Sequence, residues 1–214
     1  MANLEPLIQS IPVAPLKLAS LEGCRTLADQ VNNYLVSFRH ESPTNVGQAD
    51  SLQGYCADSY LLECECPRFG SGEGKGVLKE SVRGCDLFIM VDVTNYSLTY
   101  RVNGYENHMS PDNHYQDLKR IISAADGKAR RINVIMPFLY EGRQHKRSKR
   151  ESLDCALMLQ ELVDMGVSNI LTFDAHDPRV SNSIPLHGFD SFMPTYQFLK
   201  ALVNSVPDFV IDND

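Results

Sequence analysis

Short apolar runs alternate with longer amphipathic stretches along most of the chain. The runs Asp86–Val91, Ile132–Pro137 and Ile170–Phe173 are typical of strands buried on both faces of a parallel sheet, and Leu16–Ala19 fits a shorter first strand. Apolar residues recur at helical spacing in Cys24–Phe38, Ser110–Gly127, Ser152–Met165 and Tyr196–Val203. Because strands and helices alternate from Asp86 onward, the pattern predicts a three-layer α/β sandwich with a mostly parallel sheet.

Two segments carry hairpin signals, and the first of them, Asn95–Met109, is expected to be an excursion from that sheet. In Asn95–Met109, alternating residues flank Asn103-Gly104, the strongest short signal for a β-hairpin. Tyr60–Cys66 alternates like a strand, and the glycine-rich Pro67–Gly76 that follows must be a loop. That loop lacks the Gly-Lys-Ser/Thr ending of a phosphate-cradling loop and no helix signal follows it. A hairpin turn is therefore the favoured interpretation.

The ends of the chain and one internal segment carry no such pattern. Residues 1–14 are predicted to be an irregular arm, His40–Ala57 a long surface loop and 207–214 the start of a link to a further domain, leaving 15–206 as one domain. The net charge of −7 argues against a general nucleic-acid binder. No apolar run approaches the roughly 20 residues needed to cross a bilayer. Without a signal-peptide pattern at the N-terminus, the cytoplasm is the expected location.

Polar side chains that could carry chemistry follow two of the predicted strands. After Ile132–Pro137 comes a basic run that contains Arg143, Gln144, His145, Lys146 and Arg147, and after Ile170–Phe173 come Asp174, His176 and Asp177. The carboxyl ends of parallel strands form the ligand-binding edge of an open α/β sheet, so we expect the two groups to lie together. Guanidinium groups suit phosphate oxygens, and carboxylate and imidazole groups suit a divalent cation. The combination suggests a polyphosphate with a metal ion.

Both groups also have simpler interpretations, which the residue types alone leave open. A basic run is usually a solvated surface, and a histidine after a strand is commonly a structural hydrogen-bonding residue. The remaining histidines that fall in surface-like segments receive no role: His40, His108, His114 and His187. The six scattered cysteines are expected to be free thiols. Cys64 and Cys66 are interpreted as core thiols, because no second pair at zinc-ligand spacing follows them.

The order and rough spacing of these motifs, from Leu16 to about Leu202, resemble the N-terminal domain of the ribose-phosphate diphosphokinases, or PRPP synthetases. Arg68–Glu73, RFGSGE, is similar to the family's Arg-Phe-x-Asp-Gly-Glu loop, and Val82–Met90 to its Val-Arg-Gly-x-Asp strand. The basic run resembles the family's Tyr-x-Arg-Gln-Asp-(Arg/Lys)-Arg segment, and LTFDAH resembles Leu-Thr-x-Asp-Leu-His. The resemblance implies a phosphoribosyltransferase-like N-terminal domain in which the Asn95–Met109 hairpin is an insertion.

The reaction that the resemblance implies is transfer of the diphosphoryl group of ATP to the C1 hydroxyl of ribose 5-phosphate, with Mg²⁺, to give phosphoribosyl diphosphate and AMP. By that similarity ATP would be bound by Arg143, Gln144 and His145. The magnesium would be held by His176 and Asp174, with Asp177 in the same cluster. Adenine would be contacted, across the subunit interface of a homo-oligomer, by Phe69, Ser71 and Glu73.

Departures from the family pattern limit what the polypeptide is expected to do. Ser71 and His145 each stand where the family usually has Asp. The 214 residues also contain neither the family's acidic loop for ribose 5-phosphate nor its lysine-bearing loop over ATP. We therefore expect an N-terminal part of a longer enzyme that is inactive alone. Two alternatives stay open: a non-catalytic regulatory or nucleotide-binding homologue, and a metal-dependent phosphohydrolase that uses Asp174–Asp177.

Overall fold

The computed structural model describes residues 12–41 and 54–206. Residues 1–11 of the arm expected over 1–14, most of the expected 40–57 loop and the expected link at 207–214 lie outside that description. The strands in the described ranges are β1 (Leu16–Ser20), β2 (Leu61–Leu62), β3 (Cys64–Glu65), β4 (Val77–Leu78), β5 (Asp86–Met90), β6 (Thr99–Val102), β7 (Tyr105–His108), β8 (Arg131–Ile135), β9 (Val167–Phe173) and β10 (Gly188–Phe192). The α-helices are α1 (Arg25–Glu41), α2 (Pro111–Ala124), α3 (Asp154–Asp164) and α4 (Thr195–Ser205), and short 3-10 turns cover Glu22–Cys24 and Pro178–Ser183.

The main sheet has six strands in the order β10-β9-β8-β5-β1-β2, and all its neighbouring pairs are parallel. The predicted hairpin forms as β6 and β7, and β3 pairs antiparallel with β4, so the glycine-rich loop between them is a hairpin turn. Strand β10 has no strand pattern in its sequence, because its residues GFDSF mix Gly, Asp and Ser with Phe. This strand lies at the sheet edge, where burial on both faces does not impose an apolar run.

Each face of the sheet carries its own helices. Leu87 and Ile89 of β5 belong to the large core cluster that includes Leu118 of α2 and Leu159 of α3. Met90 points to the other face, where the smaller cluster includes residues at the start of α1. Helix–sheet–helix layering therefore follows from strand alternation, and the predicted three-layer sandwich is confirmed. No helix in the described ranges is both long enough and apolar enough to cross a membrane.

The cysteines behave as the sequence predicts. Cys64 is buried and Cys66 is half-buried, and the sulfur atoms contact the backbone carbonyls of Ser20 and Asp117 respectively. Burial raises the pKa of Cys64 to about 11 and that of Cys66 to about 12, so both thiols stay protonated at neutral pH. They are core thiols. Metal binding would require each of them to lose its proton first.

A buried polar network crosses the middle of the sheet near the amino-terminal ends of its strands. Asp86 accepts hydrogen bonds from Nε of Arg131 (2.8 Å) and Nδ2 of Asn133 (2.8 Å). Asn169 donates to Oδ1 of Asn133 (2.6 Å), which carries the network from β8 to β9. A Cβ at Gly188 would lie 2.1 Å from Oδ1 of Asn169, so β10 approaches this closely only because it has glycine there. The network links β5, β8 and β9, and it spans the point where the β8–β9 register shifts between Ile132 and Asn133.

Replacing Asp86 with Ala should lower the free energy of unfolding by about 3 kcal/mol, because Asn133 and the Arg131 guanidinium lose their buried acceptor. Urea denaturation followed by circular dichroism measures the change. The matched control is Asp58→Ala, which removes an exposed carboxylate and should change the same free energy by no more than about 0.5 kcal/mol. Equal effects of the two substitutions would contradict a stabilising role for the network.

Candidate functional site

The two polar groups expected at the sheet edge do lie side by side. Strands β8 and β9 are parallel neighbours, with Ile135 opposite Leu171, so the segments that follow them leave from the same edge. The rings of His145 and His176 have centroids 5.2 Å apart, and Nε2 of His145 lies 3.5 Å from Oδ2 of Asp177. The structure therefore brings one residue of the basic run into contact with two residues of the Asp-His-Asp segment.

Tyr140 anchors the start of the basic run to helix α2. Its ring stacks on Tyr115 at a centroid distance of 4.6 Å, and its hydroxyl donates a 2.6 Å hydrogen bond to Asp112. Asp112 is held in the first turn of α2, whose N-cap Ser110 accepts a hydrogen bond from the backbone of Asn113. Burial, and then the bond to Asp112, raises the pKa of Tyr140 well above its usual value, so the hydroxyl keeps the proton that it donates.

Two residues in the left-handed region shape the turns that carry the site. Glu141 has a φ of 54° and Asp174 a φ of 45°, although neither is glycine. Such conformations cost free energy and are found where neighbouring structure enforces them, often at functional sites. Glu141 is followed by Gly142, where a Cβ would lie 3.0 Å from the carbonyl oxygen of Leu139. The turn after β8 is therefore tight. The residues that follow it return to the sheet edge, where His145 lies beside His176 and Asp177.

The predicted ATP-binding residues differ in how freely they face solvent. Gln144 closes the loop, since Nε2 donates to the carbonyl oxygen of Ser152 (2.7 Å) and its own carbonyl accepts from Cys155 at the start of α3. Arg143 is exposed. Within residues 12–41 and 54–206, none of the following cations of the basic run forms an ion pair: Arg143, Lys146, Arg147, Lys149 and Arg150. The loop therefore presents uncompensated positive charge to solvent.

The three proposed metal ligands are not equally available. Asp177 accepts hydrogen bonds from the backbone and guanidinium of Arg179, and these bonds lower the pKa of Asp177 well below its usual range. Asp174 and His176 are exposed, and their side chains form no hydrogen bond or ion pair with another residue in the described parts of the chain. Those parts also contain no group of three His, Cys, Asp or Glu side chains arranged to hold a metal. To bind a metal ion, the Asp177 carboxylate would have to give up its hydrogen bonds with Arg179.

The predicted adenine-contacting residues form a separate turn between β3 and β4. The amide of Phe69 donates to the carbonyl oxygen of Glu73 (2.7 Å), and the hydroxyl of Ser71 donates to the Glu73 carboxylate (2.7 Å). The ring of Phe69 is 54% exposed. No hydrogen bond, ion pair or ring contact within the described residues joins this turn to the basic run.

Several residues that build these surfaces are not predicted by the sequence pattern. His114, expected on the surface, is 2% exposed, and its Nε2 donates to the carbonyl oxygen of Asn95 (2.6 Å). The one available signal was its position one turn into an amphipathic helix, next to apolar Tyr115. The pairings of Tyr140 with Asp112 and of Asp177 with Arg179 have no sequence signature, because each depends on how the turns fold.

Comparisons with known proteins agree with this architecture. A family model for the N-terminal domain of ribose phosphate pyrophosphokinase matches residues 16–166. The ribose-phosphate pyrophosphokinases of Corynebacterium ammoniagenes and Bacillus cereus are each 29% identical to the chain over 167 residues, which are 77% of this chain and 41% of each relative. The crystal structure of phosphoribosylpyrophosphate synthetase from Mycobacterium smegmatis has a similar fold, with a TM-score of 0.67 and 21% identity, over 89% of this chain and 52% of that one. The chain thus spans about half or less of the length of these proteins.

Proposed function

Because the chain belongs to the family of ribose phosphate pyrophosphokinase N-terminal domains, we propose that it supplies the ATP- and metal-binding part of a ribose-phosphate diphosphokinase. The observation that carries the proposal is the convergence of the basic run with His176 and Asp177 at one edge of the sheet. This edge is where open α/β folds bind their ligands. The enzyme would transfer the diphosphoryl group of ATP to the C1 hydroxyl of ribose 5-phosphate, leaving AMP.

Arg143 is the residue best placed to bind the triphosphate. Its guanidinium is exposed and unpaired within the described residues, and a planar guanidinium can donate two parallel hydrogen bonds to phosphate oxygens. Lys146 and Arg147 add charge to the same loop. A polyphosphate would neutralise cations that now repel one another, so its binding would be favourable in proportion to its charge.

His145 and Gln144 serve the site mainly by shaping the loop. Nδ1 of His145 lies 3.1 Å from the carbonyl oxygen of Arg143, and Nε2 faces Asp177, so both ring nitrogens already have protein oxygen neighbours. Gln144 is hydrogen-bonded to Ser152 through its amide nitrogen, which leaves the side-chain oxygen to accept from a nucleotide. Their contacts with ATP in this proposal are therefore secondary to that of Arg143.

His176 and Asp174 fit a magnesium ion as a pair of exposed donors at the strand end. Magnesium keeps several waters and is usually bound by one or two protein groups together with substrate phosphates, so two donors suffice. The bound ion would neutralise charge on the phosphates of ATP. The protein's own contribution is to hold the triphosphate and the ion in one place, because diphosphoryl transfer needs positioning more than covalent catalysis.

Alanine at Arg143 or at His176 should weaken binding of Mg-ATP at least about tenfold, or roughly 1.4 kcal/mol, because each removes a direct contact with phosphate or ion. Isothermal titration calorimetry on the 214-residue protein measures both affinities. The matched control is Arg150→Ala, which removes a cation at the far end of the same basic run. Unchanged affinity in both site variants would remove the site assignment, and equal weakening in the control would reduce it to general charge attraction.

The 214-residue polypeptide alone should form no AMP from ATP and ribose 5-phosphate. The reason is that its sequence contains no acidic Asp-Asp-x-x-x-Thr-Gly-Gly-Thr-like run to hold the ribose phosphate. Chromatographic separation of nucleotides after incubation with Mg²⁺ measures the product. Detectable AMP that requires ribose 5-phosphate would overturn this expectation. Release of inorganic phosphate that is lost in His176→Ala would instead favour a metal-dependent phosphohydrolase.

A further inference from the structure

The hairpin formed by β6 and β7, residues 99–108, stands outside the main sheet. Its two central turn residues, Asn103 and Gly104, both have positive φ, which suits the tight turn of a two-residue hairpin. Every residue of β7 is exposed, so the hairpin is not built to fill the core. A two-stranded ribbon is marginally stable by itself, and its position must depend on a small number of contacts.

Those contacts are with the turn that carries Phe69. The amide of Asn103 donates to the carbonyl oxygen of Gly70 at 3.2 Å. Gly72 has a φ of 90°, and a Cβ placed on it would lie 2.8 Å from Cγ2 of Val102, so the valine methyl occupies the space beside the bare glycine. The hairpin tip therefore packs directly on residues 70–72.

A second contact ties the hairpin to the residue just before Phe69. The guanidinium of Arg68 lies over the ring of Tyr100, 5.3 Å from its centroid. Arg68 is itself immobilised, because it donates hydrogen bonds of 2.6 and 2.8 Å to the two carboxylate oxygens of Asp117 and its side chain is only 9% exposed. Tyr100 thus packs against an immobilised guanidinium, which fixes the position of the hairpin relative to the turn.

The base of the hairpin is held as firmly as its tip. The imidazole of His114, buried in α2, donates to the carbonyl oxygen of Asn95, and Asn95 donates through Nδ2 to the carbonyl oxygen of Gly23. Tyr96 and His108 stack with their ring centroids 4.8 Å apart and close the two ends of the ribbon. With its base fixed to the core, the hairpin can transmit that rigidity to the turn at its tip.

The same packing accounts for part of the glycine pattern in the turn. A Cβ at Gly74 would lie 2.4 Å from Nη1 of Arg68, and one at Gly76 would lie 2.4 Å from the backbone oxygen of Arg120. Together with Gly72 against Val102, these close approaches explain three of the turn's glycines without a bound phosphate. The turn is shaped by what packs on it, and the hairpin is one of the two surfaces that do so.

We propose that the 99–108 hairpin is a positioning element for the Phe69–Glu73 turn, with Val102 and Tyr100 as the positioning residues. By fixing the backbone at residues 70–72, the hairpin sets the direction of the exposed Phe69 ring and of Glu73. This inference rests on the proposed function, in which that turn contacts the adenine of ATP. The hairpin would then govern recognition of the base while leaving the phosphate-binding residues untouched.

The test compares Val102→Ala with Tyr105→Ala in the 214-residue protein. Tyr105 lies on the same hairpin with its ring 78% exposed, so its removal is a matched control. Hydrogen exchange should show the Phe69 and Gly72 amides exchanging about tenfold faster in Val102→Ala only. Calorimetry should show Mg-ATP affinity about fivefold weaker in that variant, with the affinity for Mg-tripolyphosphate, which lacks adenine, changed by less than about twofold.

A second pair of variants separates positioning from damage to the fold. Tyr100→Leu should show the same losses in amide protection and in ATP affinity as Val102→Ala. Tyr100→Phe keeps the ring over Arg68 and should retain both properties at the level of the unmodified protein. Unchanged exchange at Phe69 and Gly72, or equal weakening of ATP and tripolyphosphate, would overturn the proposal. Failure of the unmodified protein to bind Mg-ATP would instead remove the proposed function, and the exchange measurement would still decide whether the hairpin orders the turn.

Discussion

The structure depends above all on the parallel pairing of β8 with β9. That pairing makes two segments distant in sequence leave the sheet at the same edge, and so places the ring of His145 against the ring of His176. Parallel strands hydrogen-bond slightly less strongly than antiparallel ones and need other interactions to define their register. The buried ladder through Asp86, Asn133 and Asn169 supplies them, because each hydrogen bond in it fits only one alignment of the strands. A polar network near one end of the strands thus helps to define the geometry of the candidate site at the other end.

The candidate site carries positive charge that no ion pair within the described residues compensates. Five cations of the basic run have no counter-ion within the described residues, whereas Asp177, the nearest buried carboxylate, is already satisfied by Arg179. The energetic cost of clustering those cations is small in water and is screened by salt. The hydrogen bonds of Tyr140 to Asp112 and of Gln144 to Ser152 hold the loop at the sheet edge. In the proposed function, the loop backbone would be ordered before a polyphosphate binds, which would spare the binding step the entropy of ordering the loop.

Elements with a strong local pattern could be predicted from the sequence, and contacts between elements could not. The buried strands, the capped helix at Ser110 and the Asn103-Gly104 turn follow from periodicity and from single-residue preferences. Strand β10 has too few apolar residues to be predicted from the sequence. The surface position expected for His114 is wrong, because its burial depends on a hydrogen bond to Asn95, nineteen residues earlier in the chain. At the site, residue type and position at the strand ends are enough to predict that His145, His176 and Asp177 lie close together. The hydrogen bonds of Arg179 to Asp177 and of Gln144 to Ser152 could not be predicted, because both depend on the conformation of irregular turns.

The proposed nucleotide site divides between two surfaces that no hydrogen bond, ion pair or ring contact joins within the described residues of one chain. Phosphate-binding groups lie at the β8–β9 edge, whereas the Phe69 turn lies between β3 and β4 and is packed against α2 through Arg68 and Asp117. A single ATP that used both surfaces of one chain would therefore have to span the separation between them. In the homo-oligomer expected from the sequence, the exposed Phe69 ring of one chain would face the cations of another. The hairpin that orders the turn would then act on a base bound at the neighbouring chain, and the precision of base recognition would be a property of the assembly.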